Sequence, residues 1–240
     1  MKAIVIYKWA RATASARVRE SGEVDWGAAK MTAGDDDPAA LDVAKAIAGA
    51  DGDVVGLTIG DGEAAWALAR GVATAFTAPQ VGPLADESAT AGALAQAVRQ
   101  LGEVDAVVIG DDPAHPGVAP ALAAHLGWPV VLAVGSAALS GDGRVVITRK
   151  AGAEVETISL VTPVVLGAVA AGEEARPPGM METIKARKKP IGELSVAAPA
   201  EAVTSTQTRR PARSGAKLLG GEPAEAAAAL VTELRGDGLL

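Results

Sequence analysis

Short apolar runs alternate with helical segments over the first two thirds of the chain, and this alternation restricts the possible folds strongly. Most of these runs end near Gly or polar residues, as strands buried on both faces do. The predicted strands are Ala3–Tyr7, Asp53–Ile59, a weaker one at Ala75–Thr77, Asp105–Ile109 and Pro129–Val134. Repeated strand–helix units predict a parallel sheet with helices on both faces.

Helices are predicted between these strands. Asp37-Pro38 is a favourable helix start, because Pro fits the first turn, and Leu41 and Ala44 then share one face. The other predicted helices are Ala64–Ala73, Glu87–Leu101 and Val118–Leu126. The expected fold is therefore a three-layer α/β sandwich with a mostly parallel central sheet.

The pattern changes after Val134. Ala138–Arg149 predicts a hairpin around Gly141-Asp142-Gly143. The strands Glu154–Leu160 and Pro163–Val169 follow, so we expect antiparallel strands to extend the sheet.

The C-terminal part divides from the rest by composition. Residues 192–216 are rich in Ala, Pro, Ser and Thr without a clear period, which indicates an extended arm, and a helix is predicted at Pro223–Leu234. We therefore divide the chain into an α/β domain, residues 1–191, and an arm with a helix, residues 192–240, that wraps a partner subunit. The alternative is a floppy tail, which the periodic helix disfavours.

Composition excludes several classes of function. The 240 residues are 49% hydrophobic but only 2% aromatic, which argues against single-strand nucleic-acid binding by base stacking. Cysteine is absent, so disulfides and thiolate sites are excluded, and two histidines are too few for a histidine-built zinc centre. The apolar runs are shorter than the ~20 residues that cross a bilayer. A cytoplasmic protein without membrane insertion is expected.

Basic residues are concentrated in one part of an acidic chain. The formal net charge is −7, yet residues 176–217 carry nine Lys or Arg against three Glu. Such a segment favours acidic partners or tight self-association. Nucleic acid is the rival partner, and the small number of basic residues disfavours it.

Two Gly-rich loops are candidates for cofactor binding. Gly60-Asp61-Gly62 follows a predicted strand and opens a helix, which is weakly similar to a dinucleotide loop but is more typical of an ordinary turn. Gly110–Val118 follows the strand Asp105–Ile109 at the edge where open α/β sheets bind ligands. Nucleophile elbows, P-loops and zinc-protease motifs are absent, so we predict no bond chemistry by the chain itself. The run Asp35-Asp36-Asp37 is interpreted as a helix start rather than a cation site.

The segment 176–190 predicts a protein-docking loop. Two adjacent methionines follow a Pro/Gly stretch, and exposed methionines are adaptable contacts for several partners. Basic residues beside them steer the approach of a partner. The predicted docking residues are Arg176, Met180, Met181, Lys185, Arg187, Lys188 and Lys189. The alternative places Met180 or Met181 in the core.

The same segment carries a family resemblance. Arg176, Met180 and Ile184–Lys189 match the spacing of the recognition loop of the electron transfer flavoprotein β subunit, where Leu usually stands at the position of Met180. The resemblance extends from the first strand to the final helix through Val104–Gly110, Leu126–Pro129, Glu154–Ile158, Thr162–Val165 and Gly215–Lys217.

The resemblance implies a Rossmann-like, adenine-nucleotide-binding fold in an electron carrier rather than an enzyme. It implies a heterodimer with the electron transfer flavoprotein α subunit, which mainly holds the shared FAD. Electrons would come from acyl-CoA-type or other flavin dehydrogenases and pass to a downstream acceptor. The alternatives are a stand-alone adenine-nucleotide-binding sensor of the same fold and a nucleotide-free structural β subunit.

The resemblance also implies a second nucleotide site, for AMP or, in electron-bifurcating relatives, for a second FAD. The implied residues are Ile6, Ile59, Gly60, Asp111, Asp112, Gly117 and Val118. This chain departs from the family there: Gly117 stands for the usual Gln, and Pro113 and Pro116 remove backbone donors. We therefore expect bound AMP to be weak or absent.

Overall fold

The computed structural model describes residues 1–60, 62–82, 86–170, 177–197, 200, 202–203, 212 and 215–240. Its described residues separate into two compact units. One contains residues 1–17 with the described part of 24–207, and the other contains residues 18–23 with the described part of 208–240. The first unit holds the large sheet and all the site features described below.

Strands and helices alternate along the first unit as the sequence predicts. The strands are β1 Lys2–Ile6, β2 Ala10–Arg11, β3 Arg17–Val18, β4 Val24–Asp25, β5 Met31–Thr32, β6 Asp53–Ile59, β7 Thr74–Ala78, β8 Ala106–Gly110, β9 Val130–Leu139, β10 Val145–Ala151, β11 Glu154–Leu160, β12 Val164–Ala168 and β13 Gly192–Glu193. The helices are α1 Asp37–Ala48, α2 Ala65–Ala69, α3 Glu87–Gln100, α4 Val118–Leu126 and α5 Met180–Ala186 in the first unit, and α6 Pro223–Gly236 in the second. The predicted α/β sandwich with a mostly parallel sheet is confirmed.

The large sheet has the order β11-β10-β9-β12-β8-β1-β6-β7-β13 among the described residues. The strands from β12 to β13 pair in parallel, and β9, β10 and β11 form an antiparallel extension at the other edge. The chain runs outward from β1 to β6 and β7, then returns through α3 to β8 on the opposite side of β1. A topological switch point therefore lies between β1 and β8, where open α/β sheets form a ligand crevice.

Alternate residues of the central strands feed two separate cores. Ala3 and Val5 of β1 face one core together with α1, whereas Ile4 and Ile6 face the other core together with α3. All four side chains are at most 3% exposed. This two-sided burial explains why the first strands appear as continuous apolar runs rather than alternating ones.

One predicted strand has a different place in the sheet. The strand predicted at Pro163–Val169 was expected among the antiparallel additions, but β12 pairs in parallel with both β8 and β9. All five of its residues are buried. A strand that is apolar on both faces is most stable inside the sheet, and this leaves the more polar β10 and β11 for the edge.

Two helices differ from their predicted extents. Helix α2 ends at Ala69 rather than near Ala73, because Gly71 has a left-handed φ of +90° that terminates the helix. The segment expected as a docking loop contains helix α5, in which the Glu182 carboxylate accepts the Gly179 N–H at 2.6 Å. A Glu three residues after the N-cap stabilises a helix start in this way.

The predicted arm begins on the sheet. Strand β13 pairs with β7, and the Leu194 and Val196 side chains are buried in the α3 core. Farther along, the Asp86 carboxylate accepts the N–H groups of Ala202 and Val203 at 2.8 and 3.1 Å. The predicted domain boundary at residue 191 and the wrapping of a partner by residues 192–240 stay predictions.

Strand β9 contains one strained residue. Ala133 has φ of +57°, at a shift in the pairing of β9 with β12. The Asp111 carboxylate, which lies beyond the end of β8, accepts the Ala133 N–H at 2.9 Å. Because a left-handed conformation costs a non-glycine residue about 1–2 kcal/mol, this hydrogen bond helps to hold the bulge in place.

Replacing Ala133 by glycine relieves this strain. Removing the strain stabilises the folded chain by about 1–2 kcal/mol. This gain offsets two destabilising effects of the substitution, which are the loss of one partly buried methyl group and the greater conformational entropy of the unfolded chain. We expect Ala133→Gly to be near neutral, whereas Ala137→Gly on the same strand loses about 1 kcal/mol or more. Urea unfolding of both variants measures this difference, and equal destabilisation of the two would contradict the assigned strain.

Candidate functional site

The candidate site lies at the switch point, where the carboxyl ends of β1 and β8 meet. An inner cavity of about 150 Å³ is lined largely by aliphatic side chains, and an outer cavity of about 350 Å³ adjoins it. The two cavities share Lys8, Ala10, Gly110 and Asp112. The aliphatic residues of the inner cavity include Ile6, Ile59, Leu94, Ile109 and Val118. An apolar inner wall with polar groups at its mouth is typical of a small-molecule site.

Lys8 and Asp112 form an ion pair between the two cavities. The Lys8 Nζ lies 2.7 Å from the Asp112 Oδ2, and both side chains are partly exposed. Burial opposes ionisation of Asp112, but hydrogen bonds from Lys8 and from the Ala114 N–H outweigh it and lower the pKa of Asp112. Lys8 is therefore neutralised by the chain itself rather than free for an anionic ligand.

Asp37 is a buried acid at the start of α1. Its Oδ2 accepts the Lys8 N–H at 2.9 Å and the Gly34 N–H at 2.6 Å, and the residue is only 3% exposed. Burial raises the pKa of Asp37 to about 7, although the two N–H donors and the Lys8 charge act in the opposite direction. The carboxyl thus ties the chain after β1 to the first turn of α1.

Helix α1 approaches the end of β8 very closely. A Cβ atom on Gly110 would lie 2.8 Å from the Asp37 Oδ1 and 3.2 Å from the Asp37 N. The neighbouring Asp36 accepts the Ala170 N–H at 2.9 Å through its Oδ1. Carboxylates stabilise a helix N-terminus, so the start of α1 is occupied by acidic groups of the chain.

The loop after β8 uses its backbone donors internally. Asp111 N–H donates to the Ala168 carbonyl at 2.8 Å, and Asp112 N–H donates to the Gly110 carbonyl at 3.0 Å. The other N–H groups of residues 111–118, all of which are described, also have partners within the chain. The Ala114 N–H donates to the Asp112 Oδ1, and the His115 N–H donates to the Asp112 carbonyl. The Gly117 N–H donates to the Glu87 Oε2, and the Val118 N–H donates to the His115 carbonyl. Pro113 and Pro116 have no N–H. A phosphate that bound through the N–H groups of residues 111–118 would have to displace one of these bonds.

The carboxylate that reaches Gly117 comes from the start of another helix. Glu87 is the first residue of α3, and its Oε2 accepts the Gly117 N–H at 3.0 Å at the N-terminus of α4. Its Oε1 lies 3.9 Å from the His115 Nδ1. A Cβ atom on residue 117 would lie 2.1 Å from the Glu87 Oε2, so an alanine there would force the Glu87 carboxylate to move.

A model of the electron transfer flavoprotein domain matches residues 29–199, which include α1 to α5 and the loop after β8. The match covers more than half of the chain. The chain belongs to the electron transfer flavoprotein family. A search of curated proteins finds no match for it. Family membership indicates an electron carrier involved in electron transport.

Most of the nucleotide-site residues implied by the electron transfer flavoprotein resemblance lie around one cleft. Ile6, Ile59, Asp111, Asp112 and Val118 line the inner cavity. Gly117 does not line this cavity itself, but its N–H donates to Glu87, which does. Gly60 lines a separate neighbouring cavity instead. Whether these residues bind a nucleotide stays a prediction.

Sequence reasoning missed several polar residues of this cleft, among them Lys8, Glu87 and His115. Lys8 lies two residues after the end of β1, so its place at the carboxyl end of a central strand was a usable signal. Glu87 and His115 also line the cavity, but their approach depends on how α3 packs beside α4. The sequence spacing of these two residues contains no sign of that contact.

The predicted docking residues lie on or directly after α5, apart from Arg176, which lies outside the described residues. Met180 is 80% exposed and Met181 is 64% exposed, which does not fit the alternative that places either in the core. Ala186, on the opposite side of α5, is buried with Ala65 and Leu68 of α2. The docking role of the exposed residues stays a prediction.

The described part of the chain contains no group of three or more His, Cys, Asp or Glu arranged to hold a metal ion. None of its helices combines the length and the apolar character needed to span a membrane.

The raised pKa of Asp37 predicts a pH-dependent stability. The folded-state pKa of about 7 exceeds the ordinary value of 3.8, so the folded chain keeps a proton that the unfolded chain has released between these values. The contribution of this group is complete below about pH 4 and is lost as the pH rises towards 7. The free energy of unfolding then falls by on the order of 1 kcal/mol per pH unit in that interval.

Asp37→Asn removes this dependence, because an amide keeps an oxygen for the Lys8 and Gly34 N–H groups and does not ionise. Urea unfolding from about pH 5.5 to about pH 8 should favour the variant increasingly over the wild type. Asp42→Asn, an exposed change on the same helix, serves as the control. A constant difference between wild type and Asp37→Asn across this range would show that Asp37 titrates normally.

Proposed function

We propose that this chain is the β subunit of a heterodimeric electron transfer flavoprotein. In this proposal it carries electrons from acyl-CoA-type or other flavin dehydrogenases to a downstream acceptor. The observation that carries the proposal is the exposed apolar and basic surface of α5, at the spacing of the family's recognition segment. Met180, Met181 and Ile184 are 80%, 64% and 42% exposed there. Lys185, Arg187, Lys188 and Lys189 flank them.

The surface of α5 has the composition of a transient docking site. Flexible thioethers adapt to more than one partner surface, and this suits a carrier that meets several dehydrogenases. Arg187 lies 3.3 Å from the Glu63 carboxylate, so one basic group also fixes the segment after α5 to the turn before α2. The lysines are exposed and suited to steering an acidic partner.

The cleft of this chain does not fit the pyrophosphate of FAD. Its loop N–H groups are used within the chain, and Asp111, Asp112 and Glu87 line the same cavity. Carboxylates in the wall of the cavity disfavour a bound phosphate. This supports the proposal that the α subunit mainly holds the FAD, which supplies the electron chemistry when it is bound. A second FAD in the cleft is disfavoured for the same reason.

AMP remains a candidate ligand of the cleft, but only as a weak one. A nucleotide-free structural β subunit is the second candidate function, and the internal use of the loop donors favours it over tight AMP binding. In both versions this chain would cover one side of the heterodimer's flavin site and dock the dehydrogenase. The two versions differ in the occupancy of the cleft.

The chain alone should be colourless and should acquire flavin only with the α subunit, because its own cleft does not fit a pyrophosphate. We expect purified single chain to lack visible flavin absorbance and the co-expressed heterodimer to contain about one FAD per complex. Absorption spectra of both preparations measure this. Stoichiometric FAD on the single chain would contradict the proposal, and so would failure to form a flavin-containing complex with any α subunit.

Met180→Ala should weaken docking without destabilising the fold. Interface energy is concentrated in a few central apolar anchors, so we expect a loss on the order of 1–2 kcal/mol in dehydrogenase binding. Flavin content and melting temperature should barely change, because Met180 is 80% exposed. Steady-state electron transfer with the native dehydrogenase, measured beside a thermal melt, tests both statements.

Two further variants, one that tests steering and one that serves as a control, separate docking from folding. Reversing the charges of Lys188 and Lys189 should slow association and weaken its dependence on salt, since these lysines steer rather than anchor. Val155→Ala removes an exposed apolar side chain on the edge strand β11, 68% exposed, and should leave transfer unchanged. A Met180→Ala chain with a lower melting temperature and normal transfer would refute the docking assignment.

A further inference from the structure

We propose that Glu87 is a built-in anion that closes the cleft to phosphate, so that the cleft takes an uncharged nucleoside-type ligand rather than a nucleotide. This inference concerns the ligand of the cleft that the proposed function treats as a nucleotide site, and it rests on the proposed function only for the location of that site. It depends on three observations: the contact between Glu87 and Gly117, the use of the loop donors and the charges at the mouth of the cleft.

Glu87 occupies the position at which an anion is normally bound by a helix N-terminus. N–H groups at the start of a helix and the helix dipole together attract negative charge. Here the Gly117 N–H at the start of α4 donates to the Glu87 Oε2 at 3.0 Å. Gly117 lacks the Cβ that would lie 2.1 Å from this oxygen. The glycine and the carboxylate fit each other as a pair.

The mouth of the cleft is acidic even without Glu87. Asp35, Asp36, Asp37 and Asp112 line the outer cavity, and Lys8 and Arg11 are the basic side chains there. Lys8 is paired with Asp112, and Arg11 donates to the Trp26 carbonyl at 2.8 Å. A phosphate would meet several carboxylates there, whereas hydroxyl groups can donate to those carboxylates.

The inner cavity supplies binding energy that does not depend on charge. Ile6, Ile59, Leu94, Ile109 and Val118 form an aliphatic wall that suits a flat apolar ring. Burial of a ring contributes roughly 25 cal/mol per Å² of apolar area. An adenosine-like molecule can therefore place its ring inside and its hydroxyl groups towards Asp112 and Asp111. The added phosphate of AMP would have to displace Glu87.

The test compares adenosine and AMP by isothermal titration calorimetry on the full-length chain at fixed ionic strength. Wild type should bind adenosine at least tenfold more tightly than AMP. In Glu87→Ala the affinity for AMP should rise by at least tenfold, because the Gly117 N–H and its surroundings are freed, and the affinity for adenosine should stay within about twofold. Glu103→Ala, the same exchange of a carboxylate beyond the other end of α3, should behave as wild type.

Three results would overturn the proposal. Equal affinity of wild type for AMP and adenosine would show that Glu87 does not exclude phosphate. An AMP affinity that does not change in Glu87→Ala would also show that Glu87 does not exclude phosphate. Binding of neither ligand to any variant would show that the cleft takes no nucleoside. That result leaves the electron-transfer assignment standing, because flavin content and dehydrogenase docking are measured separately.

A stability cycle tests the contact without any ligand. Gly117 has φ of −82° and ψ of −14°, so its backbone accepts alanine. Gly117→Ala should nevertheless lower the melting temperature of wild type, because the new Cβ meets the Glu87 carboxylate. The same change in a Glu87→Ala background should be neutral or stabilising. Additive effects of the two substitutions would show that Glu87 does not occupy this position and would overturn the proposal.

Discussion

The burial of the central strands on both faces determines where this molecule can act. β1, β8 and β12 lie between two cores, with α1 on one side and α3 with α4 on the other. Their side chains are almost completely removed from solvent, so polar groups can gather only beyond the strand ends. After β1 and β8 the chain continues in opposite directions along the sheet, and this leaves a crevice between the carboxyl ends of the two strands. Lys8, Asp111 and Asp112 enter it because they lie within two residues of the ends of these two strands.

Acidic side chains of the chain occupy both helix starts at this crevice. Asp36 and Asp37 lie at the first turn of α1, and Glu87 lies at the first turn of α4. The Asp36 and Asp37 carboxylates accept N–H groups of the neighbouring Ala170, Lys8 and Gly34. The Glu87 carboxylate accepts the Gly117 N–H, which has no partner within α4. In the proposed function, these carboxylates lie where a nucleotide would otherwise provide the charge. The cleft would then keep its shape while binding anions weakly.

The sequence predicted the alternating elements well and the contacts between them poorly. Periodicity and glycine positions placed β1, β6, β8 and α1 near their observed bounds, because local burial patterns determine these elements. The central position of β12 was missed, since pairing order depends on distant segments. Within the cleft, residues at strand ends such as Asp112 were predictable. Glu87 was not, because its contact with Gly117 joins residues thirty positions apart through the packing of α3 and α4.

The helical form of the docking segment has a physical consequence that a loop would not have. In α5 the exposed Met180 and Ile184 are four residues apart and share one face, while Ala186 is buried against α2. The Glu182 carboxylate accepts the Gly179 N–H at 2.6 Å, and this hydrogen bond fixes the start of the helix. Ordering a flexible loop on binding costs free energy for each residue fixed, and a helix formed in advance avoids much of that cost. In the proposed docking role the backbone would thus be prepared for a partner, and only the flexible methionine side chains would have to adapt to each one.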